Sequence, residues 1–268
     1  MSYALLDSGN GEKWEQFGPY SLIRPCPQAI WRPYLSHWEA DGRFSRDSSD
    51  RWTFTKKLPK NWTVHFQGVT LQIAPTDFGH LGFFPEHACL WQWMRSKIAK
   101  SHRVLNLFAY SGAATLAAAQ EGAEVCHLDA SKGIVDWARE NARLNHLEQA
   151  PIRWIVDDAL KFLKREEKRN SRYEGILLDP PTFGRGSKGE VFKIERDLSP
   201  LLEACKAVLS SHPRFLIFSC HTPGLTPLVL HHVVEQIFRK KAEMGEMLLE
   251  SSQSYSISSG SFIRIAYD

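Results

Sequence analysis

"RVLNLFAYSGAATLAAAQEG", residues 103 to 122, decides the fold. A short apolar run turns through one glycine and becomes a helix of small residues, which Gly122 closes. A strand–turn–helix unit of this kind needs a parallel neighbour on which to complete its crossover. The next residues supply several. "EVCHLD" (124–129) reads as a strand and "KGIVDWARENARLN" (132–145) as its helix. "IRWIVDD" (152–158) leads into "ALKFLKREEK", and "YEGILLD" (173–179) precedes the helical "IERDLSPLLEACKAVL". "RFLIFSC" (214–220) is a fifth strand, followed by the helical pattern "GLTPLVLHHVVEQIFRK". "EMLLESSQS" and "SFIRIAYD" end the chain as two strands, one of them expected to add antiparallel. The alternation predicts an α/β fold, a doubly wound, mostly parallel, seven-stranded, Rossmann-like sheet with helices on both faces.

Upstream the pattern changes. "YALLD", "EKWEQFG", "PYSLIRP", "RWTFTKKL", "WTVHFQ" and "VTLQIAP" are short runs bounded by Gly, Asn and Pro, which is how hairpin strands read. Residues 1–78 are therefore expected to form a small β-rich module, with an irregular stretch at 27–50, and residues 79–268 the α/β domain. The bulk properties narrow the class further. At 268 residues, 43% hydrophobic and 24% charged, the chain resembles an ordinary globular protein. No apolar run approaches a membrane span, and "MSYALLDSGNGEKW" lacks the basic and apolar regions of a secretory signal. Five scattered cysteines without CxxC spacing argue against a disulfide framework or a zinc site and for the cytoplasm. A net charge of +3 permits a nucleic-acid partner without requiring one. The run "KFLKREEKRNSR" (161–172) contains acids and reads as a solvated helix end.

In open α/β sheets, ligands sit beyond the carboxyl ends of the strands. The first turn, Asn106 to Thr115, holds only Gly112 where a dinucleotide fingerprint needs several glycines for close approach to a pyrophosphate. A nucleoside without phosphates needs less: one tight turn, an acid for its ribose and a polar group for its base. Asp129 stands 23 residues after Asn106, near the spacing of a ribose-binding acid, and Asp157 and Asp158 end the third strand. Taken together these favour S-adenosylmethionine over NAD. Asp158 has a second reading, as the N-cap of the helix that follows it.

These residues resemble the class I S-adenosylmethionine-dependent methyltransferases, and more narrowly the bacterial 23S ribosomal RNA methyltransferases that form 5-methylcytosine or 7-methylguanosine. The resemblance spans residues 79–268. It rests on "GHLGFFPEH", "VLNLFAYSGAATLAAA", "HLDASKGIVDWARENARLN", "VDDALKFL", "LLDPPTFGRGSK" with the later "ERDL", and "LIFSC". It implies an enzyme that turns S-adenosylmethionine into S-adenosylhomocysteine, with RNA as partner. The implied cofactor contacts are Asn106, Phe108, Ala109, Tyr110, Ser111, Gly112, Asp129, Ala130, Ser131, Asp157, Asp158, Ala159, Asp179 and Pro180. Asp179 would lie beside the methyl group, with Pro181, Thr182 and Phe183 on the substrate. The first 78 residues do not resemble the small RNA-binding domain of many relatives.

Two acceptor chemistries stay open. An acid followed by Pro-Pro and an aromatic suits an amino group, but Thr182 displaces Phe183 by one position. Carbon 5 of cytosine is a poor nucleophile and requires a thiolate to add at carbon 6 first. Cys220, at the end of the fifth strand, is the candidate thiol, and His221 beside it is either an activator or a loop residue. The alternative for Cys220 is packing, since free Cys is commonly buried. Two further functions remain in view: a methyltransferase for a small metabolite or protein, with the aromatic module as a lid, and a non-catalytic protein that binds S-adenosylmethionine.

Overall fold

The computed structural model describes residues 2–46, 51–186 and 189–267. They form two compact units, 1–88 with 248–259, and 89–247 with 260–268. In the first unit, β1 (Tyr3–Gly9), β2 (Glu12–Phe17), β3 (Tyr20–Pro25), β4 (Gly42–Ser45) and β5 (Arg51–Phe54) make one sheet in that order. All its pairs are antiparallel except β3 with β4. A separate hairpin joins β6 (Trp62–Phe66) to β7 (Val69–Ile73). Its loop residues Gln67 and Gly68 have φ of 50° and 80°, the doubly positive geometry that matches strand twist.

The stretch expected to be irregular contains β4, while residues 47–50 lie outside the described residues. Its remainder is tied to Asp7, a buried carboxylate that accepts from the N–H groups of Ser8, Tyr34 and Leu35 and from Trp38 Nε1. Burial alone would raise the Asp7 carboxyl; these donors outweigh it and hold the group below its ordinary value.

In the second unit, α1 (Ala88–Arg95) precedes β8 (Arg103–Leu107), α2 (Ala113–Gln120), β9 (Glu124–Asp129) and α3 (Lys132–Leu144). Then come β10 (Ile152–Val156), α4 (Ala159–Lys168), β11 (Gly175–Leu178), β12 (Phe183–Arg185) and β13 (Val191–Lys193). The chain ends with α5 (Ile194–Ala207), β14 (Phe215–Cys220), α6 (Pro227–Phe238), β15 (Glu243–Leu249) and β16 (Ile257–Ala266). The sheet order is β10-β9-β8-β11-β14-β16-β15. The first five strands in that order pair in parallel, and β16 lies antiparallel to β14. The expected seven-stranded doubly wound fold is present.

Every residue of β11 and β14 is buried, because helices cover both faces of a parallel sheet. Leu107, Leu128, Leu178 and Phe218 share one core cluster with Phe162 of α4 and Leu201 of α5. Burying each such side chain contributes about 1.5–3 kcal/mol. Gly175 is required for close approach: a Cβ there would lie 2.2 Å from the ring of Phe215, its partner across the β11–β14 pair.

One element differs from the expectation. "GRGSKG" reads as a flexible tail, yet Phe183–Arg185 and Val191–Lys193 pair as an antiparallel hairpin. Val191 and Phe192 supply the strand-forming residues, and Ile194 N–H donates to Thr182 O to close the base at 3.1 Å. Ser187 and Lys188 lie outside the described residues.

Candidate active site

Strand order reverses between β8 and β11, so a crevice opens at their carboxyl ends. The turn after β8 is tightly wound: Phe108, Tyr110 and Gly112 have φ of 56°, 49° and 90°. Gly112 has a steric reason as well, because a Cβ there would sit 3.0 Å from the Cβ of Ala138. Ala109 N–H donates to Leu128 O at 3.0 Å, and Tyr110 N–H to Asp129 Oδ2 at 3.1 Å. Asn141 of α3 donates to the buried Ser111 carbonyl at 2.9 Å. Asn106 is buried beneath the turn and donates to Thr115 Oγ1 at 2.9 Å.

Thr115 in turn meets His127 Nδ1 at 2.9 Å. Burial pushes the His127 pKa down to about 3, helped by the positive charge of Arg139. The imidazole is therefore neutral, and its Nε2 has no hydrogen-bond partner among the described residues. Asn141, Thr115 and His127 were missed from the sequence. A visible signal was the single His inside the apolar strand "EVCHLD".

Asp129 ends β9 and accepts from Ser131 N–H at 3.0 Å as well as from Tyr110. Burial raises its carboxyl above the ordinary value, and the N–H groups of Ser131, Tyr110 and Ala130 pull it partly back. Asp157 N–H donates to Asp129 O at 3.1 Å, so the ends of β9 and β10 are adjacent. Asp157 pairs with Arg165 and accepts from Asp158 N–H. Asp158 caps α4, its Oδ1 accepting from Lys161 N–H at 2.9 Å, with Ala159 buried behind it. Glycine-poor backbone and a row of acids do not suit a diphosphate; they suit hydroxyl and amino donors.

On the other side of the crevice, Leu178 is in register with Leu107 of β8 and Phe218 of β14. The next residue, Asp179, is thus level with Phe108 of the turn and with Ser219. Ser219 Oγ donates to Asp179 Oδ1 at 2.9 Å, and His221 Nε2 lies 3.8 Å from that oxygen. Pro180 is buried, whereas Pro181, Thr182 and Phe183 are exposed, and Thr182 Oγ1 lies 2.8 Å from Thr222 Oγ1.

Cys220 is 1% exposed and belongs to the core cluster with Leu178 and Phe218. Side chains alternate across a strand, so Ser219, one residue earlier, is the one that meets Asp179. Burial pushes the Cys220 thiol up; bonds from Thr222 counter this, and the Asp179 charge adds to the rise.

Comparison with known proteins identifies the family and the fold. A family model described as S-adenosylmethionine-dependent methyltransferase matches residues 31–234. The crystal structure of an S-adenosylmethionine-dependent methyltransferase from Agrobacterium tumefaciens superposes with a TM-score of 0.96. It is 38% identical, with 100% of this chain and 91% of that one covered. A ribosomal RNA large subunit methyltransferase K/L from Marinobacter nauticus is 37% identical over 162 residues, 59% of this chain. The protein of that name from Pseudoalteromonas translucida is 31% identical over 184 residues, 68% of this chain. This chain spans 22% and 25% of those two curated relatives.

Proposed function

The chain belongs to the S-adenosylmethionine-dependent methyltransferase family, and from that membership we propose that its acceptor is a base of ribosomal RNA, guanine rather than cytosine. When bound, the cofactor supplies an electrophilic methyl group on a sulfonium. The protein's own work is to align the acceptor and exclude water. On this reading the turn Phe108–Gly112 runs along the cofactor and Asp129 accepts from its ribose hydroxyls, flanked by Ala130 and Ser131. Asp157 or Asp158, beside Ala159, meets the adenine amino group. Asn106 supports the turn from below rather than reaching the ligand.

The observation that carries the acceptor assignment is Asp179, level with the cofactor turn, oriented by Ser219 and followed by the exposed Pro181, Thr182 and Phe183. A carboxylate there accepts N–H groups from a base edge while Phe183 offers a ring face. The relatives' names point to ribosomal RNA. Guanine ring nitrogens are nucleophilic without covalent activation, whereas cytosine carbon 5 needs a thiolate. A thiol buried at 1% exposure and raised in pKa is poorly placed to supply one, so we assign Cys220 to packing. Cys220→Ser should then keep kcat within about twofold to threefold of wild type. A loss of more than about a hundredfold would restore the covalent cytosine route.

We also place the protein in the cytoplasm. None of the five cysteines forms a disulfide, and among the described residues no helix is long and apolar enough to cross a membrane. Mass spectrometry of ribosomal RNA nucleosides from a strain lacking the gene tests the substrate. One methylguanosine should disappear and return when purified enzyme and S-adenosylmethionine are added. An unchanged profile would move the acceptor to a metabolite or a protein.

A further inference from the structure

The hairpin between Asp179 and α5 has two faces of different character. In its register Phe183 pairs with Lys193, Gly184 with Phe192, and Arg185 with Val191. Cross-strand partners share a face, so Phe183, Arg185, Val191 and Lys193 lie on one side and Phe192 on the other. Phe192 is half-buried and packs on Phe108, ring centroids 5.6 Å apart. Phe108 is the left-handed residue that begins the cofactor turn.

The outer face is exposed along its whole length: Phe183 is 49% and Val191 40% exposed, and Arg185 and Lys193 are exposed as well. The Arg185 guanidinium lies over the Phe183 ring, 5.7 Å from its centroid. A cation over one face of an aromatic ring leaves the opposite face for a further flat partner. An exposed aromatic ring with two cations on the same strand face is the composition of single-strand nucleic-acid surfaces, which combine stacking rings with positive charge.

We propose that this outer face is a docking platform for a single-stranded RNA segment. One unpaired base stacks on the face of Phe183 that Arg185 does not cover, and Arg185 and Lys193 meet the flanking phosphates. The inner face, through Phe192, holds the cofactor turn, so one hairpin serves both substrates. A single strand is specified because stacking on a side chain requires a base out of its helix, and a cationic rim complements a phosphate backbone. The hairpin starts four residues after Asp179, so RNA docked on it is bound by the same chain segment that carries the acceptor-side acid. This inference rests on the RNA reading above.

The test uses full-length enzyme, labelled S-adenosylmethionine and ribosomal RNA from a strain lacking the gene. KM for the RNA is read beside Kd for the cofactor by calorimetry. Phe183→Ala should raise KM for RNA by about fivefold to a hundredfold, the range for losing one base–aromatic stack, with cofactor Kd within about twofold. Phe183→Tyr should restore wild-type KM. Arg185→Ala should raise KM and reduce the salt dependence of binding by about 0.7 in log–log slope, the effect of one phosphate contact on a single strand. Phe192→Ala should do the reverse of Phe183→Ala, weakening cofactor more than RNA. An unchanged KM for Phe183→Ala and Arg185→Ala, with wild-type enzyme methylating RNA, overturns the platform and leaves the RNA reading intact. No transfer to RNA by wild-type enzyme overturns both.

Discussion

Asp179→Ala is expected to lower kcat for methyl transfer by about 10²- to 10³-fold, the loss typical of removing one preorganised polar group from a reacting centre. The carboxylate is held by Ser219 on one side and followed by two prolines, so on the proposed reading it would meet the acceptor without reorganising. Alanine leaves the base free to rotate out of line with the methyl group, and in-line geometry is what the enzyme contributes. Cofactor Kd should change far less than kcat, because the proposed ribose and adenine contacts lie at the end of β9 and just beyond β10. Ser219→Ala, which removes only the orienting hydrogen bond, should cost much less. Single-turnover kinetics with separate calorimetry distinguishes the two effects. An Asp179→Ala enzyme with wild-type kcat would remove this residue from the reaction centre.

Asp129→Ala should weaken S-adenosylmethionine binding by about 10²- to 10³-fold, since hydrogen bonds to a charged group contribute about 1.5–3 kcal/mol each and more than one is lost. The carboxylate accepts from the Tyr110 and Ser131 N–H groups, and on the proposed reading it also accepts from the ribose. Removing it leaves both N–H groups without their acceptor and slackens the turn as well as the ligand contact. A thermal-shift titration reads this directly, because ligand at about 100 times Kd stabilises the folded protein by about 2.7 kcal/mol and the variant should forfeit most of that. Binding should also weaken in mild acid. The ionised form is the acceptor, and burial holds its pKa above the ordinary carboxylate value. Affinity is therefore lost as pH falls through that raised value. Asp129→Ala binding cofactor as wild type does would refute the ribose assignment.

Most of the crevice was legible because its determinants are local. A buried strand ending in an acid shows itself in a few consecutive residues, and "EVCHLD", "IRWIVDD" and "YEGILLD" do so in turn. The one-glycine turn after "RVLNL" likewise separates a nucleoside cofactor from a dinucleotide on local sequence alone. The supports of that turn were not legible. Asn141 lies 30 residues from the carbonyl it holds, and Thr115 and His127 meet only when α2 packs on β9. Asp158 has two readings from sequence, cofactor acid and N-cap, and in the fold its Oδ1 does accept from Lys161 N–H. The β12–β13 hairpin escaped because three-residue strands separated by glycines carry too little periodicity to stand out from a loop.

The amino-acid sequence alone determined the order of strands and helices, the tight turn at Gly112 and the acids that line the crevice. Periodicity, turn chemistry and strand-end position need no more than neighbouring residues. Only the tertiary structure decided which of two adjacent residues, Ser219 or Cys220, turns toward Asp179. That choice is one of strand parity, set by how β14 registers against β11. A shift of one residue would exchange a buried thiol for a buried hydroxyl, and the chemistry of the crevice would change with it.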